Sequence, residues 1–387
     1  MSAAHPRSLG SSDTAAVRLR QPGCALSAAY CAGMASSAES ARSLRRVARI
    51  CDSADDARTL RLRLLDEIRQ AIGFDSYAWL LTDPQTSVGS APLADVPCLP
   101  ELPRLIRLKY LTGINRWTAL ASPPAALLRE ATAGDLSLSL LWRELLSGYG
   151  VEDVASLVFR DGFGCWGFLD LWRAGTSPAF SRAEANWLTD IAGPATTALR
   201  RSQAHAFVAG AAATAPRTGP VVLLLSADLD VLGQTSETQE YLRMLVPSDD
   251  NRPPVPASAY NVAAQLLAAE AGVDPNPPWA RVHLPGGSWL TLRAARIGDA
   301  ESGQDRDIAV TIEQTSPGDR VALFARAFAF SPRESELAGH LTRGADTAEI
   351  ARSMFLSEHT VQDHLKSIFA KTSTHSRRAL LALALGG

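Results

Sequence analysis

The last sixty residues constrain this chain most, because four short segments with helical periodicity each open on a cap. Ser331-Pro332-Arg333-Glu334 combines a capping serine, a proline suited to the first turn, and a glutamate three residues on. Leu337, Ala338 and Leu341 give that helix an apolar face, and Gly344 stops it. Asp346-Thr347-Ala348-Glu349 repeats the capping box ahead of Ile350, Ala351 and Met354. After Phe355-Leu356, Ser357 caps a third helix over 358–371, and Ser376 a fourth over 377–385.

A helix, a short turn and a capped second helix make the helix-turn-helix arrangement, whose second element enters the DNA major groove. In the third helix Val361, Leu365, Ile368 and Thr372 form the stripe expected to be buried. His359, Gln362, Asp363 and Lys366 lie opposite it, with Thr360, His364 and Lys371 on the flanks. Glutamine pairs with adenine, lysine with guanine, and aspartate accepts from cytosine. Flanking Thr, His and Lys suit phosphates. Lys109, Lys366 and Lys371 are the three lysines of the chain, so two fall on this one helix. Residues 365–387 carry Lys366, Lys371, Arg377 and Arg378 and no acidic residue, a local phosphate-attracting strip. His359, His364 and His375 are not spaced to put three metal ligands on one helix face, so no metal is expected.

Ser331-Pro332-Arg333-Glu334, Gly344, Glu349-Ile350-Ala351, Leu356-Ser357-Glu358-His359-Thr360-Val361 and His364-Leu365 together resemble the LuxR-type helix-turn-helix of bacterial transcription regulators. The resemblance implies a four-helix DNA-binding domain over 330–387. Its third helix would read DNA and its fourth would dimerise, with Leu380, Leu381 and Leu383, after Arg377 and Arg378, as the expected dimer face. Carried over residue by residue, it implies base contacts at Gln362, Asp363 and Lys366, and backbone contacts at Thr360, His364 and Lys371. Phe355 departs from the small residue common in the turn, and Asp363 puts a negative charge on the reading face.

The remaining length is enough for further domains: 387 residues imply two or three. A net charge of −2 means that any DNA affinity is local rather than global. No run of 18 apolar residues suggests a membrane span. Cys24, Cys31, Cys51, Cys98 and Cys165 are odd in number and lack a CxxC, which fits free thiols in a reducing, cytoplasmic setting. Residues 1–40 are rich in Ala, Ser and Gly and read as a disordered arm. Helical periodicity begins just after Met34, an alternative start.

Residues 42–72 read as one amphipathic helix, 74–82 as a strand, and 83–103 as a polar, proline-rich stretch. Helices follow at 105–111 and 138–146, then a hairpin of 155–160 and 165–172 around Asp161-Gly162. Ser181-Arg182-Ala183-Glu184 caps a helix to about 205. This order, with Phe180 ahead of that cap, resembles a GAF-type sensor domain over 41–205. The resemblance implies a pocket between sheet and internal helices, for which Trp79, Tyr110, Trp117, Trp142, Phe159 and Trp166 are candidate lining residues. Residues 41–204 contain no histidine, so a His-ligated haem cannot be built there.

Residues 206–220 read as a linker. Beyond it come a strand at 221–225, a turn at 228–230 leading into Val231-Leu232, helices at 235–245 and 257–271, and strands at 280–284, 289–296 and 308–314. That order resembles a PAS-type fold over 221–316, followed by a linker helix over 317–329. Pro285-Gly286-Gly287 lacks the lysine of a phosphate loop and reads as a hairpin turn. His283 alone reads as structural, and Asp228 with Asp230 as a solvated turn.

The expected fold class is therefore multidomain: α+β sensor domains, GAF-like then PAS-like, followed by an all-α helix-turn-helix domain. No P-loop, GxSxG, HExxH or kinase signature points to an enzyme, and no cofactor is expected. The expected function is a DNA-binding transcriptional regulator, a homodimer on double-stranded DNA. It would be controlled by a small-molecule or protein signal at the N-terminal domains, with RNA polymerase as a further candidate partner. The alternatives are a sigma-factor-like promoter-binding protein, or a helix-turn-helix that contacts protein instead of DNA.

Overall fold

The computed structural model describes residues 37–120, 122–209, 221–238, 257–284, 288–298 and 306–386. The sequence expectations for the N-terminal arm up to 36, the 206–220 linker beyond 209, most of the 235–245 helix and the Pro285-Gly286-Gly287 turn lie outside the described residues, while 37–40 and 206–209, expected as arm and linker, are helical.

Two five-stranded antiparallel sheets form from the described residues. The first contains β1 (Ser76–Thr82), β2 (Gly89–Asp95), β3 (Ala125–Leu127), β4 (Val151–Asp161) and β5 (Gly164–Ala174), in the order β2-β1-β5-β4-β3. The second contains β6 (Val221–Leu225), β7 (Val231–Gln234), β8 (Trp279–His283), β9 (Trp289–Arg296) and β10 (Ile308–Gln314), in the order β7-β6-β10-β9-β8. The two orders are equivalent, first strand for first strand.

Successive side chains leave a strand on opposite faces, and the first sheet is buried on both. Trp79, Leu157, Phe159 and Leu169 join a core with α1 (Ser37–Asp52), α2 (Ala57–Ala71) and α6 (Arg182–Ala209). Their neighbours Leu80, Val158 and Phe168 point into a second core that includes Ile106 and Tyr110 of α3 (Leu102–Leu111). The six aromatics expected to line one pocket are therefore divided. Trp79, Phe159 and Trp166 belong to the first core, Tyr110 and Trp117 to the second, and Trp142 packs against a third. The three strand residues share one face of the sheet, while Tyr110, Trp117 and Trp142 come from helices and a loop packed elsewhere.

The second core also takes in Val221, Leu223, Leu290, Leu292 and Val310 of the second sheet. The helix that joins the two sheets is α7 (Ala257–Glu270), buried over most of its length and packed on α3 and β2 as well as on β9. Two ion pairs fasten the same boundary: Arg116–Asp274 at 2.8 Å and Arg281–Asp83 at 2.6 Å, all four side chains buried.

The reading of 42–72 as one helix is corrected. The chain breaks after Asp52, and the Asp56 side chain accepts from Arg58 N and Thr59 N to start α2. The internal helix expected at 138–146 is a five-residue α5 (Leu140–Glu144) flanked by single turns of 3₁₀ helix; α4 (Leu128–Ala131) is shorter still. Strands β2 and β3 lie where no strand was expected. Val231-Leu232, expected to follow the turn as the second strand of this region, begins β7.

Candidate nucleic-acid interface

After α8 (Pro317–Ala327), the chain ends in four helices: α9 (Pro332–Thr342), α10 (Thr347–Met354), α11 (Glu358–Thr372) and α12 (Arg377–Leu385). Each starts where its cap places it. Ser331 and Glu334 close one capping box and Asp346 and Glu349 another, while Ser357 and Ser376 accept from Thr360 N and Ala379 N. Phe355 ends α10 in the left-handed region, φ 54° and ψ 46°, with 95% of its surface exposed.

Val361, Leu365, Ile368 and Thr372 are the buried residues of α11 and fix its rotation. Gln362, Asp363, Lys366 and His359 are consequently exposed. Lys366 Nζ donates to Asp363 Oδ1 at 3.0 Å, and His359 Nε2 lies 3.5 Å from Asp363 Oδ2. The hydrogen bond from Lys366 lowers the Asp363 pKa below the ordinary carboxylate value, so the face carries a real negative charge between two basic groups. Gln362 Nε2 donates to Thr347 Oγ1 at 3.4 Å, and Arg377 donates to the same hydroxyl. The structure thus adds Thr347 and Arg377 to the rim of this exposed face. Spacing on one helix could not reveal them, because they come from α10 and α12.

The flanks differ among themselves. Thr360 and His364 are half-buried beside the exposed face, and the Thr360 hydroxyl is 2.9 Å from that of Ser357. Lys371 is anchored within the domain: its ammonium donates to Glu334 Oε2 at 2.6 Å and to Ala329 O at 2.9 Å. Glu334 is buried and also accepts from Ser331 N and Ser367 Oγ, each at 2.6 Å. Burial opposes ionisation of Glu334. The hydrogen bonds from Lys371, Ser367 and Ser331 outweigh it and hold the carboxyl at about 2.

The fourth helix is apolar on every side after Arg378. Leu380 and Ala384 are buried against Val321, Phe324 and Phe330, whereas Ala379, Ala382 and Leu385 are exposed. The expectation that Leu380 faces a partner is therefore corrected; it belongs to the domain's own core, with Leu381 and Leu383 half-buried beside it.

Other residues weighed for chemistry have structural surroundings. His283 packs 4.9 Å from Trp289, and burial pulls its pKa down to about 4. Asp228 and Asp230 sit on a turn held by Ser226 Oγ. Burial raises the Cys51 and Cys98 thiols to about 11, away from reactive thiolates; Cys165 is buried too, and Cys24 and Cys31 lie outside the described residues. Among the described residues no group of three His, Cys, Asp or Glu is placed to hold a metal ion. None of their helices is long and apolar enough to cross a membrane.

Comparison with known proteins bears on this C-terminal part. The family described as bacterial regulatory proteins, luxR family, matches residues 329–384. The probable csgAB operon transcriptional regulatory protein of Salmonella typhimurium and the CsgBAC operon transcriptional regulatory protein of Escherichia coli are each 42% identical over 52 residues. That match covers 13% of this chain and 24% of either relative, so the chain spans about a quarter of their length. Among solved structures, SdiA of Escherichia coli is 12% identical, covering 90% of this chain and 97% of its own, with a TM-score of 0.33. The VqmA–ligand–DNA complex of Vibrio cholera is 18% identical over 44% of this chain and 82% of its own, with a TM-score of 0.19. The family match and the capped four-helix geometry coincide, and residues 329–384 are a LuxR-family helix-turn-helix domain placed after a sheet-rich α+β region.

Proposed function

We propose that this chain is a transcriptional regulator that reads a promoter operator through α11, acting as a dimer under control of its α+β region. The observation that carries the reading is the division of α11: a fully buried apolar stripe on one side, and Gln362, Asp363 and Lys366 exposed together on the other. These three are assigned to base edges, Gln362 to adenine, Lys366 to guanine and Asp363 to a cytosine amine. Thr360 and His364 are assigned to phosphates. Lys371 has three N–H donors, of which two hold Glu334 and Ala329; the third is left for the backbone.

One reading helix covers few base pairs, so specificity calls for two copies. Ala379, Ala382 and Leu385 are the assigned dimer surface, since an apolar helix face left in water is the exception. The signal, a small molecule or a protein, is assigned to the α+β region because the DNA-reading domain shares its core: Phe207 and Trp289 lie in one cluster with Phe324 and Leu380.

Selection of genomic DNA fragments by the purified chain, followed by salt-dependent gel shift, tests this reading. The expected result is enrichment of duplexes with paired half-sites, bound less tightly as salt rises. A chain that retains no duplex at any salt concentration supports the protein-interaction alternative instead.

A further inference from the structure

Helix α8 precedes the DNA-reading domain, and the bonds that reach it from the rest of the chain come largely from one place. At the turn between β1 and β2, Asp83 is bound by Arg281 of β8: Nε at 2.6 Å, Nη2 at 2.9 Å and the backbone N–H at 3.0 Å. Thr86 of the same turn donates to Trp279 O at 2.7 Å. With its guanidinium oriented by Asp83, Arg281 turns Nη1 to Asp319 O, 2.8 Å away in the first turn of α8. At the turn between β4 and β5, Phe163 O accepts from Arg326 Nη1, near the far end of α8, at 2.7 Å. Asp161 stiffens that second turn by accepting from Phe163 N, Trp166 Nε1 and Arg200 Nε.

The two turns touch. Cys165 N donates to Pro84 O, and a Cβ at Gly164, φ 151°, would meet that oxygen at 2.4 Å. They therefore form one rim at one end of the first sheet; Phe163 O of the rim binds one end of α8 directly, and Asp83 of the rim orients the Arg281 that binds the other. On its other side α8 holds α12. Arg320 Nε donates to Ala384 O at 3.0 Å, while Phe324 and Val321 pack with Leu380. The Arg320 guanidinium also lies 5.0 Å from the Phe207 ring, at the end of α6.

We propose that α8 is the coupling element of the molecule, gripped at its two ends by the paired turns of the first sheet through Arg281 and Arg326, and setting through Arg320 the position of α12. Simple domain packing needs only apolar contact. Here the ties are single arginine N–H donors aimed at single carbonyls, and hydrogen-bond geometry fixes direction as well as proximity. A shift of the first sheet's rim has a bonded route of one helix to the surface assigned to dimerisation. The inference stands whether or not α11 binds DNA, since it is tested on the free chain.

Hydrogen exchange on the full-length chain tests it. Arg326→Ala removes one grip at a half-buried site, so the fold is expected to survive. Amides of α12, which Arg326 does not touch, are expected to exchange at least about tenfold faster, with those of α1 and α2 unchanged. Arg326→Lys keeps a donor and is expected to restore part of the protection. Arg281→Lys keeps the charge beside Asp83 but loses the fork on that carboxylate and with it the Nη1 donor aimed at Asp319 O, and is expected to loosen the same amides. Unchanged exchange at α12 in both Arg326→Ala and Arg281→Lys overturns the proposal. So does a rise spread evenly over the whole chain.

Discussion

Glu334 gathers an α9 N-terminus, Ser367 and Lys371 around one buried carboxylate, and it determines how α9 and α11 cross. Replacing it with alanine leaves a backbone N–H, a hydroxyl and an ammonium without their acceptor. The expected destabilisation is about 1–3 kcal/mol, read by chemical denaturation. The pH dependence has a definite sign. The folded pKa is depressed to about 2 from an ordinary 4.5, so the stabilisation is complete above 4.5 and fades as pH falls toward 2. Over that window the melting temperature of the parent chain is expected to fall faster than that of Glu334→Gln. Parallel curves would mean that Glu334 does not carry this pH dependence. The exposed face of α11 was legible in the sequence because Val361, Leu365 and Ile368 fix the rotation of one helix. The Glu334–Lys371 pair was not, because it joins residues 37 apart through the packing of two helices.

Helix α12 presents two different apolar faces, and the two make separable expectations. Leu380→Ala removes a fully buried side chain and is expected to destabilise the domain by about 2–5 kcal/mol. Ala382→Glu charges the exposed face and is expected to leave the melting temperature nearly unchanged while shifting sedimentation toward monomer. A dimer that survives Ala382→Glu intact would move the interface elsewhere. Capped helices were the legible elements, because a cap and its box lie within four residues. The two edge strands of the first sheet, β2 and β3, were not. Strand β2 contains Pro92 and pairs only with β1, and its register slips between the pairs Trp79–Leu93 and Ser90–Leu81, where Ala91 and Pro92 lie. Proline is tolerated at such an edge or bulge, but in a sequence it reads as a loop.

Across the whole molecule, the order of parts was legible and their fusion was not. The shared core at α7 and the pairs Arg281–Asp83 and Arg116–Asp274 join residues 198 and 158 apart, and no local pattern marks them. Because Arg281 and Asp83 are both fully buried, Asp83→Ala strands a guanidinium in the interior. The expected loss is about 3–5 kcal/mol in denaturation of the full chain, where an exposed pair would be worth less than about 1 kcal/mol. DNA reading by α11 is tested by salt titration of binding to a selected fragment, with Lys366→Ala beside the parent chain. Log affinity is expected to fall linearly with log salt. Lys366→Ala is expected to lose about 1–3 kcal/mol on the selected fragment and little on unrelated duplex. Equal affinity of parent and variant for the selected fragment, or binding indifferent to salt, would contradict it.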